Sequence, residues 1–352
     1  MMMARDNRID SLKGLLIILV VLGHVITTLD NNNIINHAVM GVIYVFHMPL
    51  FILISGYLTK SPAQQTPREM WRGVKSIFIT LVVFHLLSSI LSSTASTLAW
   101  AVACTDPSTP EPTETWTSYF GAHCFKALKN FPYGILWYLM SLIYWRVMLY
   151  YTPQSLLKRP ALYLVIAIVV SLLCGLTHLG KLLSLQRTLN FYLFFLLGYY
   201  YRQGALNSRW WHANILHGAT AVVLLPLIFV LYPHCGNVMN GADHYDLVGL
   251  PQKALILTCS VAMSLLVFNL VRDFKWLRPV GRDSLFYYLY HFYLISIILE
   301  TLVMIFHWPT TLPFILLYTA AVMGVLALMT KVPLFWWLMR PSFGSRAKDS
   351  KG

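Results

Sequence analysis

Charge is scarce in this chain. Only 11% of its 352 residues are Asp, Glu, Lys or Arg, against about 25% in soluble domains. Acid is scarcer than base, with 13 Asp and Glu facing 26 Lys and Arg. The five cysteines are too few for a disulfide scaffold, and no pair has the spacing of zinc ligands. There is no Walker loop, dinucleotide G-x-G-x-x-G, H-E-x-x-H or G-x-S-x-G string. These absences exclude a water-facing globule, a disordered chain and the common soluble enzyme classes. What is abundant is apolar surface: 57% of residues are hydrophobic and 14% aromatic, with a mean hydropathy of +0.63. Such a chain belongs in a bilayer.

Ten apolar runs are long enough to span: roughly 12–29, 39–58, 74–94, 134–151, 161–178, 189–201, 213–232, 250–271, 284–305 and 312–334. With the N-terminus in the cytoplasm, twenty Lys and Arg fall at cytoplasmic ends. Five, namely Lys126, Lys129, Lys181, Arg187 and Lys253, fall outside. The positive-inside rule thus favours an even number of helices with both termini cytoplasmic. It also accounts for the net charge of +13 without a nucleic-acid partner. The expected fold is all-α, a polytopic transmembrane bundle of about ten helices. One domain is expected over 1–340, with a short basic cytoplasmic tail over 341–352. The first run lacks a small-residue cleavage site and reads as a retained helix.

The longest polar stretch, about 103–130, carries Cys104 and Cys124, and a disulfide between them is left open by the sequence. The loop 233–248 holds His234, Asp243, His244 and Asp246. A solvated loop is the better reading of that set, and no metal is expected.

Ionisable groups inside a membrane are costly, so those present usually face the bundle interior. They are His24, His47, His85, His291, Arg146 and Glu300. Lys13 and His24, eleven residues apart, project from one helical face at roughly 16 Å axial separation. Asp10 shares that face. This is either a buried histidine with a snorkelling lysine or a functional stripe entering from the cytoplasm. His47 stands two residues before Pro49, which frees a backbone carbonyl, while Ser55 and Gly56 permit close helix approach. That pattern suits a cavity wall, and equally suits helix packing. Arg68, Arg72 and Lys75 share a face at spacings of four and three. They are a phosphate site or simply topogenic charge. Gly281-Arg-Asp-Ser284 reads as a helix cap, after which Ser284, Tyr288 and His291 share a face. His85 and Arg146 read as structural.

Several strings carry a family resemblance. They are RIDSLKGLLIILVVLGH at 8–24, FHMPLFILISGYL at 46–58, and the basic segment in which Arg72 and Lys75 match an R-x-x-R element. Weaker echoes are LWYL at 136–139, FFLLGYYY at 194–201 and GRDSLFYYLYH at 281–291. With them the chain resembles the membrane-bound acyltransferase-3 family, particularly its fucose 4-O-acetylase-like branch. It departs from the family in having lysine where members often have arginine, at Lys13 and Lys75, and a lysine is a point charge rather than a fork. Glu300 is a candidate for the family's carboxylate.

The resemblance implies a multi-pass enzyme of the bacterial inner membrane. It would take acetyl-CoA, or another short acyl-CoA, as co-substrate from the cytoplasm. The acyl group would pass to a hydroxyl of an extracytoplasmic or lipid-linked saccharide. On that reading His24 is the general base and His47 its catalytic neighbour. Lys13, Arg68, Arg72 and Lys75 bind the CoA phosphates, and Asp10, Ser284, Tyr288 and His291 line the substrate side. A proton-coupled exporter built on intramembrane histidines is the competing reading. Against it, neither of the first two helices has a second copy in the chain.

Overall fold

The computed structural model describes residues 6–29, 33–104, 115–177, 179, 182–206, 208–239 and 244–339. The 341–352 tail, Asp243 and the side chain of His234 lie outside the described residues. Among those described there is no strand, and every apolar run of the sequence falls on a helix. Six helices have the length and composition to cross a membrane: α1 (Asn7–Leu29), α2 (Ile34–Tyr57), α3 (Pro67–Leu98 of a helix that continues to Ala103), and Gly249–Leu270, Ser284–Phe306 and Leu312–Met329. The protein is therefore an all-α, multi-pass integral membrane protein.

Between α3 and Gly249–Leu270 run α4 (Trp116–Lys129), α5 (Trp137–Tyr151), α6 (Pro160–Leu173), α7 (Leu185–Arg202) and α8 (Asn214–Met239). Gly249–Leu270 is α9, the short Leu277–Arg282 is α10, Ser284–Phe306 is α11 and Leu312–Met329 is α12. Two of the sequence's ten runs lie on α5 and α7, which fall short of the apolar criterion that the six meet. The reason is chemical. These helices carry Arg146 and the set Gln186, Arg187, Thr188, Asn190 and Arg202, and several of these polar groups face a cavity.

Local sequence sets the helix starts. Asn33 caps α2, its side-chain oxygen accepting from the Ile35 amide at 2.9 Å. Thr66 and Glu69 form a reciprocal capping box on α3. Asp283, not Ser284, occupies the cap position of α11, and it makes no side-chain cap bond. Within α11 the helix widens to a π-turn over Leu294–Leu299.

Two close approaches fix the frame. A Cβ on Gly14 would lie 2.4 Å from the Leu277 carbonyl oxygen, so α1 and α10 meet backbone to backbone. A Cβ on Gly56 would lie 1.9 Å from the Phe195 carbonyl oxygen, and α2 and α7 cross there in the same way. Two apolar clusters result. One gathers Leu50, Leu53, Trp145, Phe194 and Phe195; the other gathers Ile17, Phe84, Phe286 and Leu289. Leu19, Phe51 and Tyr138 pack against both clusters, and the seam they mark holds the candidate site.

Candidate active site

Two cavities occupy the seam. The larger, a chamber of about 340 Å³, is walled by Val20 and His24 of α1, Tyr44, His47 and Met48 of α2, and Trp137 of α5. Ser184, Arg187 and Phe191 come from the start of α7, and Tyr288 and Phe292 from α11. Asn130, Pro132, Gly134 and Ile135 complete it from the segment joining α4 to α5. The smaller, a gallery of about 180 Å³, runs along Lys13, Val20, Met48, Phe51, Ser55, Leu58, Tyr138, Leu142, Ser284 and Tyr288, among others. Val20, Met48 and Tyr288 belong to both. Lys13 and His24 therefore stand in successive cavities along α1, as their spacing on one face requires. Among the described residues no carboxylate lines either space.

The histidines converge on the chamber. The His24 and His291 rings lie 5.0 Å apart between centroids, and the His47 ring packs 4.9 Å from Tyr44. His47 Nδ1 is 2.7 Å from the Ile43 carbonyl oxygen and His291 Nδ1 is 3.1 Å from that of Tyr287. A carbonyl only accepts, so Nδ1 carries the hydrogen in both rings and the neutral ring leaves Nε2 with a lone pair. His291 Nε2 is buried and has no hydrogen-bond partner among the described residues. The half-buried His24 ring makes no hydrogen bond among them either. Its nitrogens are open to whatever fills the chamber.

The wall between chamber and gallery is held by a tyrosine relay. The Tyr288 hydroxyl donates to the Ile135 carbonyl, and its ring packs 5.5 Å from Tyr138. The Ser55 hydroxyl donates to the Phe51 carbonyl at 3.0 Å, so the Tyr138 hydroxyl, 2.7 Å away, donates to Ser55. At the far end of the gallery Lys13 pairs with the buried Asp10 at 2.9 Å.

Of the residues expected from sequence, the structure brings His24, His47, Tyr288, His291, Lys13 and Ser284 to these two cavities or against their walls. Asp10 lines neither cavity and pairs with Lys13, which does. Arg68, Arg72 and Lys75 lie on the exposed face of α3, while Met70 and Val74 turn inward. Glu300 lines neither cavity. Cys104 and Cys124 are free thiols, and among the described residues no three potential ligands gather around a metal site. Sequence reading missed Arg187, among the described residues the one permanently charged group on the chamber wall, whose guanidinium lies 5.1 Å over the Trp137 ring. It also missed the aromatic wall of Tyr44, Trp137 and Phe191. Nothing local marks these residues, because they meet only once α2, α5 and α7 have packed.

Comparison with known proteins supplies a frame for the site. The family model described as "Acyltransferase domain" matches residues 6–331. A curated relative, Nodulation protein NolL of Sinorhizobium fredii (strain NBRC 101917 / NGR234), is 38% identical over 99 residues. That stretch is 27% of this chain and 26% of the relative. No solved structure matches.

Proposed function

The chain belongs to the acyltransferase-3 family of membrane acyltransferases, and from that premise we propose a specific reaction. An acetyl or other short acyl group moves from cytoplasmic acyl-CoA to a hydroxyl of an extracytoplasmic or lipid-linked saccharide. The resemblance of residues 46–58 to the fucose 4-O-acetylase-like branch points to a sugar acceptor. The observation that carries the reading is the pair of cavities sharing one wall, with a lysine at the mouth of one and histidines in the other. The excess of Lys and Arg at one set of helix ends orients the Lys13 mouth to the cytoplasm and the chamber to the outside. A bacterial inner membrane, with cytoplasmic termini, is the setting that fits.

In this scheme the pantetheine arm lies along the gallery and carries its thioester past Met48. The acceptor sugar rests against the aromatic chamber wall. His24, with no internal hydrogen bond, takes the proton of the attacking hydroxyl as its oxygen bonds the acyl carbon. Arg187 faces the negative charge that grows on the carbonyl oxygen. The C–S bond then breaks, the thiolate leaves as CoA, and His24 returns the proton to sulfur. His47 presents an accepting Nε2, so it holds a hydroxyl in line rather than polarising the carbonyl. The donor nitrogen is already committed to Ile43. Lys13 attracts the anionic donor from the cytoplasm.

The test uses membranes containing the parent chain or His24→Ala at matched protein level. Both receive labelled acetyl-CoA, and label is followed into glycan and lipid-linked fractions. The parent is expected to transfer label, and His24→Ala to lose it by about 10²–10⁴-fold. Equal labelling would remove His24 from the chemistry. Failure of the parent with every short acyl-CoA would overturn the donor.

A further inference from the structure

Arg146 has no role in the scheme above, yet its placement is expensive. Its Nε is buried without a hydrogen-bond partner among the described residues, and no carboxylate pairs with it there. The residue as a whole is only partly buried, so its terminal nitrogens remain open to a ligand, and a buried guanidinium nitrogen without an acceptor is costly unless something else satisfies it.

Arg146 lines a third cavity, of about 210 Å³, together with Thr59, Lys60 and Gln65 beyond α2, Met70 of α3 and Tyr150 of α5. Among the described residues two cations and no carboxylate line it. Leu58 belongs both to this cavity and to the gallery. On α5, Tyr138, Leu142 and Arg146 recur every fourth residue and form one face; the first two line the gallery and the third lines this cavity. On α2 and just beyond it the same order appears, with His47 in the chamber, Ser55 in the gallery and Thr59, past the helix end, here. The ten helical steps from His47 to Tyr57, the last residue of α2, rise roughly 15 Å, and Thr59 follows just beyond. A pantetheine arm has about thirteen bonds from phosphorus to sulfur. At about 1.2 Å of advance per bond, the value of an extended backbone, it reaches roughly 15 Å. A phosphate seated at Arg146 thus puts the sulfur near the chamber.

We propose that this Arg146–Lys60 pocket, rather than the exposed stripe on α3, binds the diphosphate of the acyl donor. The planar guanidinium grips it in fork geometry, and the arm enters the gallery past Leu58. The inference rests on the acyl-CoA reading.

The experiment is calorimetric titration of the purified full chain in zwitterionic-lipid nanodiscs with CoA, pantetheine and inorganic phosphate. Arg146→Gln is expected to weaken CoA about 10- to 100-fold, the worth of a hydrogen bond to a charged group, and to leave pantetheine affinity unchanged. Arg146→Lys should recover part of the loss. Lys60→Gln, at an exposed position that folding tolerates, should weaken CoA to a smaller degree and carries the test if Arg146→Gln fails to fold. CoA affinity that is the same in parent and variants overturns the proposal alone. So does an equal loss for CoA and pantetheine, which would mark a damaged wall rather than a lost phosphate contact. A parent that binds no CoA overturns the donor reading as well. Stabilisation by inorganic phosphate, or by phosphatidylglycerol discs, that matches that of CoA and vanishes in Arg146→Gln would assign the pocket to a generic phosphate or lipid headgroup.

Discussion

In the proposed reaction Lys13 and His24 divide the labour of binding and chemistry by distance. They are eleven residues apart on one helix, roughly 16 Å along its axis, so the lysine cannot touch the reacting carbonyl. Lys13→Met is expected to raise KM for acyl-CoA about tenfold with kcat little changed. A fall in kcat at unchanged KM would contradict the assignment. Tyr288 is different, because its hydroxyl bonds the Ile135 carbonyl on the wall between the cavities. Tyr288→Phe leaves that carbonyl without its donor, at a cost of about 1–3 kcal/mol. The melting temperature should fall, and the loss of transfer should be far smaller than that of His24→Ala. The Lys13–His24 relation was legible in the sequence because a single helix holds both and its periodicity is fixed. His47 was legible through Pro49 and the small residues after it. Arg187 was not, since a cation at one end of an apolar run looks topogenic until the neighbouring helices are in place, and Arg146, though picked out inside its run, read as structural because sequence alone does not show the cavity it lines.

At the scale of elements, periodicity says which residues share a face but not which way the face points. The stripe Arg68, Arg72 and Lys75 was correctly placed on one side of α3, and that side is exposed. Met70, between them, lines the third cavity. The crossing of α2 over α7 is the element contact on which the site depends. It holds His47 and Met48 against the start of α7, where Arg187 and Phe191 stand. Gly56→Ala places a methyl group into the Phe195 carbonyl, and backbone cannot yield as a side-chain tip does. This substitution should lower the melting temperature by several degrees and reduce transfer. Gly218→Ala in α8, where nothing lies within 4 Å, should leave both intact. Equal behaviour of the two variants would show that the crossing is looser than described.

At the scale of the whole molecule, the chain threads a row of cavities through a membrane-spanning bundle. The sequence made the bundle legible from hydropathy, and its charge distribution gives the orientation proposed above. The row itself is assembled from α1, α2, α5 and α11 and has no signature in any one of them. Orientation has a direct check. With Cys104, Cys124 and Cys235 replaced by serine, Lys60→Cys should react with a membrane-impermeant maleimide only from the cytoplasmic side. Asn130→Cys should react only from outside. The reverse pattern would invert the assigned direction of transfer.

The wall of Val20, Met48 and Tyr288 that separates gallery from chamber has a second consequence, an electrical one. If the two cavities open to opposite aqueous phases, these three side chains are the insulation between them, and the membrane voltage drops across a few ångströms of apolar packing. In the proposed reaction acyl groups cross this partition while protons and small ions do not. Met48→Gly should therefore turn a transferase into a leak, seen as proton uptake by proteoliposomes under an imposed potential, whereas His24→Ala should remain tight. The methionine, flexible and without a charge, is suited to part around a thioester and close behind it.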